Sequence, residues 1–300
     1  MTNKILFRGV ASAIVTPFAS GEIDYVSLKK IINAQIEAGI NALVVGGTTG
    51  EASTLSHDEK LRLYSFVINE VSGRIPVIVG CGSNDTRRAV ALAKSVKSLS
   101  PDGILSVTPY YNKGTTEGIK KHYLSIVESA DLPTIIYNVP QRTGVNLPIS
   151  LIEELANHEN IVGIKEASDS AERLVRISAL KDKIKLYSGN DAMTLQTLAL
   201  GGVGVISVVS NLMPYAMRSL CESFFLGDIS KAAEIQRSLI GITDALFCDV
   251  NPVPLKYAMS LAGYCSPEMR LPLSLPSSDA AKRIEAAYRE YKERYPELSF

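Results

Sequence analysis

The chain has 300 residues, 46% of them hydrophobic, and its 31 Lys+Arg balance 31 Asp+Glu. Without a basic run, nucleic acid and anionic membrane are poor partners, and no apolar stretch approaches the ~18–20 residues that span a bilayer. A small-molecule substrate or a protein partner is left, and the length fits two domains or one α/β barrel of ~250 residues.

Met1-Thr2-Asn3-Lys4 lacks the apolar core of a signal peptide. Short apolar runs then alternate with longer amphipathic ones. The predicted strands are Val10–Val15, Ala42–Val45, Ile75–Val79, Gly103–Val107, Thr134–Tyr137, Ile161–Lys165, Ile184–Tyr187 and Val203–Val208. The predicted helices between them are Tyr25–Ala38, His57–Val71, Thr86–Leu99, Glu117–Ser129, Ile149–Ala156, Ala171–Leu180 and Ala192–Leu200. Ser56 and Glu59 form a capping box, and Pro148 and Pro214 fall at helix starts, where a missing N–H does no harm. Ser168 is predicted to start a helix, with Glu172 supporting its N-terminus. Eight strand–helix units fit a closed (β/α)8 TIM barrel. The competing open doubly wound sheet lacks its Gly-x-Gly-x-x-Gly turn after the first strand. Beyond Asn211, Pro214–Leu226, Ile229–Leu246, Pro254–Leu261 and Ser278–Tyr295 read as helices. The expected division is a barrel over 1–226 and a C-terminal helical extension over 227–300, with no linker between them. Cys81, Cys221, Cys248 and Cys265 are scattered and read as reduced thiols of a cytoplasmic protein. His57, His122 and His158 are too far apart for a helical metal site.

In such a barrel the chemistry gathers at the C-terminal ends of strands. The second strand ends in Gly46-Gly47-Thr48-Thr49-Gly50-Glu51. Two hydroxyls beside glycine N–H groups suit a carboxylate; an ordinary glycine turn is the alternative. The Gly-Lys-Ser/Thr ending of a P-loop is missing. The fourth strand runs into Thr108-Pro109-Tyr110-Tyr111-Asn112, and the fifth into Tyr137-Asn138-Val139-Pro140. These phenols can relay protons or simply pack. Arg142, in the glycine-containing loop that follows, suits a second carboxylate or is a solvated charge. The sixth strand, Ile161-Val162-Gly163-Ile164-Lys165, ends an apolar run on lysine. Burial lowers a lysine's pKa, and a neutral amine attacks carbonyls; a lysine reaching solvent is the alternative. Ser188-Gly189-Asn190-Asp191 and Gly204-Val205-Ile206-Ser207 would wall the pocket, Asp191 being as much a helix cap as a ligand. One amine, a hydroxyl-rich loop, phenols and an arginine describe a Schiff-base aldol-type condensation or cleavage.

Four motifs together resemble the dihydrodipicolinate synthases of the N-acetylneuraminate lyase superfamily. They are Gly47-Thr48-Thr49-Gly50-Glu51, Tyr110-Tyr111-Asn112, Tyr137-Asn138-Val139-Pro140 through Arg142-Thr143-Gly144, and Gly163-Ile164-Lys165-Glu166. The likeness runs from Val15-Thr16-Pro17-Phe18 to Asn251-Pro252-Val253-Pro254-Leu255-Lys256 and Leu271-Pro272-Leu273. It implies condensation of pyruvate with aspartate semialdehyde, the first committed step of the diaminopimelate/lysine pathway, without metal or organic cofactor. It also implies that Lys165 forms the imine and that Tyr137, Thr49 and Tyr111 form a proton relay. Thr48 and Thr49 would hold the pyruvate carboxylate near the Ile206 backbone. Arg142 would receive the semialdehyde carboxylate, beside Gly189 and Asn190. A tyrosine matching Tyr110 or Tyr111 often enters a neighbouring subunit's site, so a homodimer or homotetramer is implied.

Some members are inhibited by lysine at the dimer interface. Ser53, His57 and Lys60 are expected on one helical face, as are Asn84 and Arg88. Inhibitable members carry a histidine where this chain has Lys60 and a glutamate where it has Arg88. A cation in place of that acid repels the inhibitor's ammonium by on the order of 4 kcal/mol at ~4 Å before screening. Lysine inhibition is therefore expected to be weak or absent. Two other readings are an aldolase acting on a sugar acid or 2-keto-3-deoxy acid, and a non-catalytic 2-oxo-acid-binding homologue. The threonine pair with Arg142 favours a small acidic aldehyde over a polyol, and an intact phenol relay is of no use to a sensor.

Overall fold

The structure, a computed structural model, describes residues 4–298. Eight parallel strands form one closed barrel: β1 (Gly9–Ala13), β2 (Ala42–Val45), β3 (Val77–Gly80), β4 (Gly103–Val107), β5 (Thr134–Asn138), β6 (Ile161–Glu166), β7 (Lys185–Ser188) and β8 (Gly204–Ser207). Each pairs with its neighbour in chain order, and β8 returns to β1. All eight predicted runs are barrel strands. They are apolar nearly throughout because a parallel sheet is covered on both faces.

Most boundaries move by one or two residues, each for a local reason. β3 begins after Pro76, which has no N–H for the ladder. The capping box holds at Ser56, and the helix it opens is His57–Val71. The helix after β6 starts at Ala171, not at Ser168: Ser170 caps it by accepting from Arg173 N–H. The Ser168 N–H is instead taken by Glu166 Oε1 at 2.8 Å. The expected helix 192–200 is a 3-10 turn, Asp191–Met193, followed by Thr194–Ala199, and its cap is Asn190 rather than Asp191. The long helix 229–246 divides at Leu239 into Ile229–Ser238 and Ile240–Leu246. Two short features have no counterpart in the periodicity. They are a hairpin of Phe18–Ala19 with Glu22–Ile23 and a helical turn at Pro140–Thr143.

The chain divides into two compact units. One holds residues 76–206 with the segment before Gly9. Its core packs strands β5–β7 beneath the helices Thr116–Ala130, Ile149–Leu155 and Ala171–Ser178, through Ile136, Leu151, Ile164, Leu174 and Leu186. Parallel register places Tyr137, Lys165 and Tyr187 side by side on β5, β6 and β7. Gly163 leaves room for Tyr187, whose Cε2 lies 2.9 Å from where a Cβ would stand.

The other unit holds residues 9–75 and those from Ser207 onward. β1 and β2 pair in register at Ala11–Ala42 and Ala13–Val44. A buried polar knot ties β1 to the turn after β8: Gln35 Nε2 donates to Ser210 O at 3.0 Å, and Asn211 Nδ2 to Ala13 O at 2.9 Å. The last helix, Ser278–Arg294, packs on Ile240–Leu246 and Val253–Leu261. Among the described residues no helix is long and apolar enough to cross a membrane.

Candidate active site

Lys165 is the penultimate residue of β6 and 5% exposed. Its Nζ lies 4.4 Å from the centre of the Tyr137 ring, delivered by the neighbouring strand at the same register. Burial pushes its pKa from 10.5 down to about 8; the Asp191 charge works against that shift and the Arg142 charge with it. Asp191 is itself buried. Gly189 permits the lysine's position, because a Cβ there would stand 3.0 Å from Lys165 Cε and 2.7 Å from Ala167 Cβ. The expected amine, its phenol neighbour and the glycine beside them are therefore brought together within one unit.

The β6 end is fixed by a network that the sequence does not reveal. Glu166 is fully buried and accepts from Arg173 Nε at 2.8 Å, from Asn138 Nδ2 at 2.9 Å and from the Ser168 N–H. Asn138 Oδ1 in turn accepts from the Leu147 N–H at 3.0 Å. A charge so deeply buried is tolerated because it is paired and fully hydrogen-bonded. Three adjoining loops are joined in the same way: Asp169 accepts from Gln141 Nε2 at 3.0 Å and from Asn190 Nδ2 at 2.9 Å. Asn190 is thus already engaged at its amide. Arg142 is exposed on the turn Pro140–Thr143, close enough for its charge to be felt at Lys165.

Tyr111 does not join this cluster. It is 88% exposed, and its φ of 73° lies in the left-handed region. The Asn112 N–H donates to Tyr110 O at 2.9 Å, closing a γ-turn around it. A bulky residue at positive φ in such a turn is strained, and such strain concentrates at functional sites. Ile206 is buried on β8.

In the other unit, the Gly46–Glu51 turn follows β2. Thr48 is half-buried and Thr49 buried. Thr49 Oγ1 accepts from Asn251 Nδ2 at 3.0 Å. Glu51, at φ 53°, is fully buried and meets Lys256 Nζ at 2.7 Å. Lys256 is thus a second buried lysine, and its pKa is also lowered by burial, against the Glu51 charge. The two lysines differ in their commitments. Lys256 donates to Glu51 and to Thr16 O, which hold its proton. Lys165 Nζ makes no hydrogen bond or ion pair among the described residues and faces only an aromatic ring and two more distant charges. Of the two, Lys165 is the one able to present a neutral amine.

The expected effector residues fall differently from their spacing. Ser53 lies in the turn before the helix His57–Val71, which carries His57 and Lys60. Asn84 lies in the bend before Thr86–Lys97, which carries Arg88. Neither set shares one helical face, because Ser56 and Asp85 cap those helices downstream of Ser53 and Asn84. Arg88 is exposed, 3.9 Å from Asp85. Among the described residues no group of His, Cys, Asp and Glu side chains is arranged to hold a metal ion.

The likeness to known proteins covers nearly all of the chain. Residues 6–290 match the family described as the dihydrodipicolinate synthetase family. The 4-hydroxy-tetrahydrodipicolinate synthase of Thermotoga neapolitana is 46% identical over 290 residues, covering 95% of this chain and 99% of that one. The dihydrodipicolinate synthase structure from Thermotoga maritima superposes with a TM-score of 0.93 at 43% identity, covering 96% and 99% of the two chains. The chloride-inhibited enzyme of Acinetobacter baumannii, solved with pyruvate, gives 0.92 at 40% identity, covering 95% and 98%.

Proposed function

This chain belongs to the dihydrodipicolinate synthetase family, and from that premise we propose that it condenses pyruvate with aspartate semialdehyde through an imine on Lys165. The observation that carries the reading is the buried lysine, its pKa brought down to about 8, against the Tyr137 ring. The activity is that of a lyase, 4-hydroxy-tetrahydrodipicolinate synthase, in lysine and diaminopimelate biosynthesis.

The neutral Lys165 amine adds to C2 of pyruvate and water leaves, forming the imine. Loss of a C3 proton gives the enamine, with the protonated imine serving as electron sink, so no further cofactor is called for. The enamine carbon attacks the aldehyde carbon, and the aldehyde oxygen takes a proton and becomes a hydroxyl. The semialdehyde's own amino group then attacks the imine carbon and displaces Lys165, closing the product ring. Tyr137, Thr49 and Tyr111 relay the protons. Thr48 and Thr49 hold the pyruvate carboxylate, with the Ile206 backbone nearby. Arg142 holds the semialdehyde carboxylate in a bidentate fork, beside Gly189 and Asn190. Exposed, strained Tyr111 acts in the site of a second copy of this chain, in a homodimer or homotetramer working in the cytoplasm.

A coupled assay tests the substrate: product from pyruvate plus aspartate semialdehyde, with none released from N-acetylneuraminate. Lys165→Ala is expected to lose most turnover while staying folded. Cleavage of the sugar acid at a comparable rate would instead support an aldolase of the wider superfamily.

A further inference from the structure

Three residues touch the Gly46–Glu51 turn: Asn251, in the turn before the helix Val253–Leu261, Lys256 on that helix, and Arg270 in the segment after it. Asn251 Nδ2 reaches Thr49 Oγ1 at 3.0 Å, and Lys256 Nζ reaches Glu51 Oε1 at 2.7 Å. The Arg270 N–H reaches Glu51 Oε2 at 3.1 Å. The backbone of the turn is also pinned, with Thr16 Oγ1 donating to Gly50 O at 2.7 Å and the Glu51 N–H to Thr48 O at 3.1 Å. Glu51 and Lys256 hold the turn in place. Asn251 does something different, since it acts on a hydroxyl.

A hydroxyl carries one proton and two lone pairs, and rotates to suit its partners. Asn251 is buried, and its amide fills one lone pair of Thr49 Oγ1 with a donated hydrogen bond. The single Thr49 proton must then go elsewhere, and accepting one hydrogen bond makes the hydroxyl a better donor. We propose that Asn251 is a positioning residue for the reaction. By donating to Thr49 Oγ1 it directs the threonine's single proton away from itself and to the pyruvate carboxylate. The inference rests on the role given above to Thr49, and it makes the C-terminal extension a working part of the site.

The test separates direction from packing. Asn251→Asp is nearly isosteric, but a carboxylate only accepts. Thr49 would turn its proton toward it and present lone pairs to the substrate. Asn251→Ala removes the donor and leaves the hydroxyl free to rotate. A packing role makes alanine the worse change, because it opens a cavity; a directing role makes aspartate the worse. Both variants are assayed with Thr49→Val and with the double variant Thr49→Val/Asn251→Asp, reading KM for pyruvate, KM for the semialdehyde and kcat.

Asn251→Asp is expected to raise the pyruvate KM by ~10- to 100-fold, the scale of one hydrogen bond to a charged group. Asn251→Ala should raise it less, and both should leave the semialdehyde KM within about threefold. In the Thr49→Val background, Asn251→Asp should have no further effect. A wild-type pyruvate KM in Asn251→Asp overturns the inference. So does an aspartate effect that adds in full on top of Thr49→Val, which marks simple charge repulsion. If Thr49→Val alone raises the pyruvate KM, the role of Thr49 survives that failure. If Thr49→Val changes nothing, the role of Thr49 and this inference fall together.

Discussion

The proposed chemistry turns on the protonation of one side chain. Lys165 has a pKa near 8 because burial disfavours its ammonium. Pyruvate capture should therefore rise with pH through about 8 and level off above it, which the initial rate of borohydride trapping between pH 6 and 10 will show. The same shift affects stability, in a calculable direction. Below about 8 the folded and unfolded chains both carry the charge, and the full burial cost is felt. Between about 8 and 10.5 the folded lysine is neutral while the unfolded one still binds its proton, so stability rises with pH. Lys165→Met should stabilise the fold by about 3 kcal/mol at pH 7, with the gain fading toward pH 10.5. Urea unfolding at the two pH values checks this; a lower midpoint at pH 7 would contradict it. Lys165 was legible because lysine is a costly end to an apolar run, and Tyr137 because it ends the adjacent run. Asn251 was not. Its partner is 202 residues away, and no periodicity links an asparagine to a threonine at that distance.

At the scale of elements, buried charge pairs fix the ends of strands and the turns that follow. Glu51 and Lys256 are both fully buried and 205 residues apart. Removing one partner leaves an uncompensated charge, so Lys256→Met should cost about 3–5 kcal/mol. Adding Glu51→Gln should recover most of that loss, because an unionised amide is far cheaper to bury than an unpaired carboxylate. The expected measurement is a double-variant cycle by urea unfolding, and simple additivity of the two losses would count against a coupled pair. Glu166 with Arg173 does the same for the β6 end. Strand existence was readable from apolar runs, since both faces of a parallel sheet are covered. The element starts were less so. Short polar side chains compete for the same N–H groups, and Ser170 and Asn190 rather than Ser168 and Asp191 prove to be the caps.

For the whole molecule, the barrel was legible because eight repeated units leave few other ways to cover a parallel sheet. The outward course of Tyr111 was not, because a γ-turn at φ 73° leaves no mark in composition or period. If Tyr111 serves a second copy, co-expressed Lys165→Ala and Tyr111→Phe chains should regain turnover that neither has alone, since one mixed site holds both native residues. No recovery would place the tyrosine's action within its own chain. Regulation belongs to this scale too. With cations at Lys60 and Arg88, millimolar lysine should leave the rate nearly unchanged, and a low-micromolar inhibition constant would refute that charge argument. Capture of the keto acid by Lys165 is tested by borohydride reduction with pyruvate, followed by peptide mass mapping. The adduct is expected on the peptide bearing Lys165 and none on that bearing Lys256. An adduct on Lys256, or none at all, would contradict capture by Lys165.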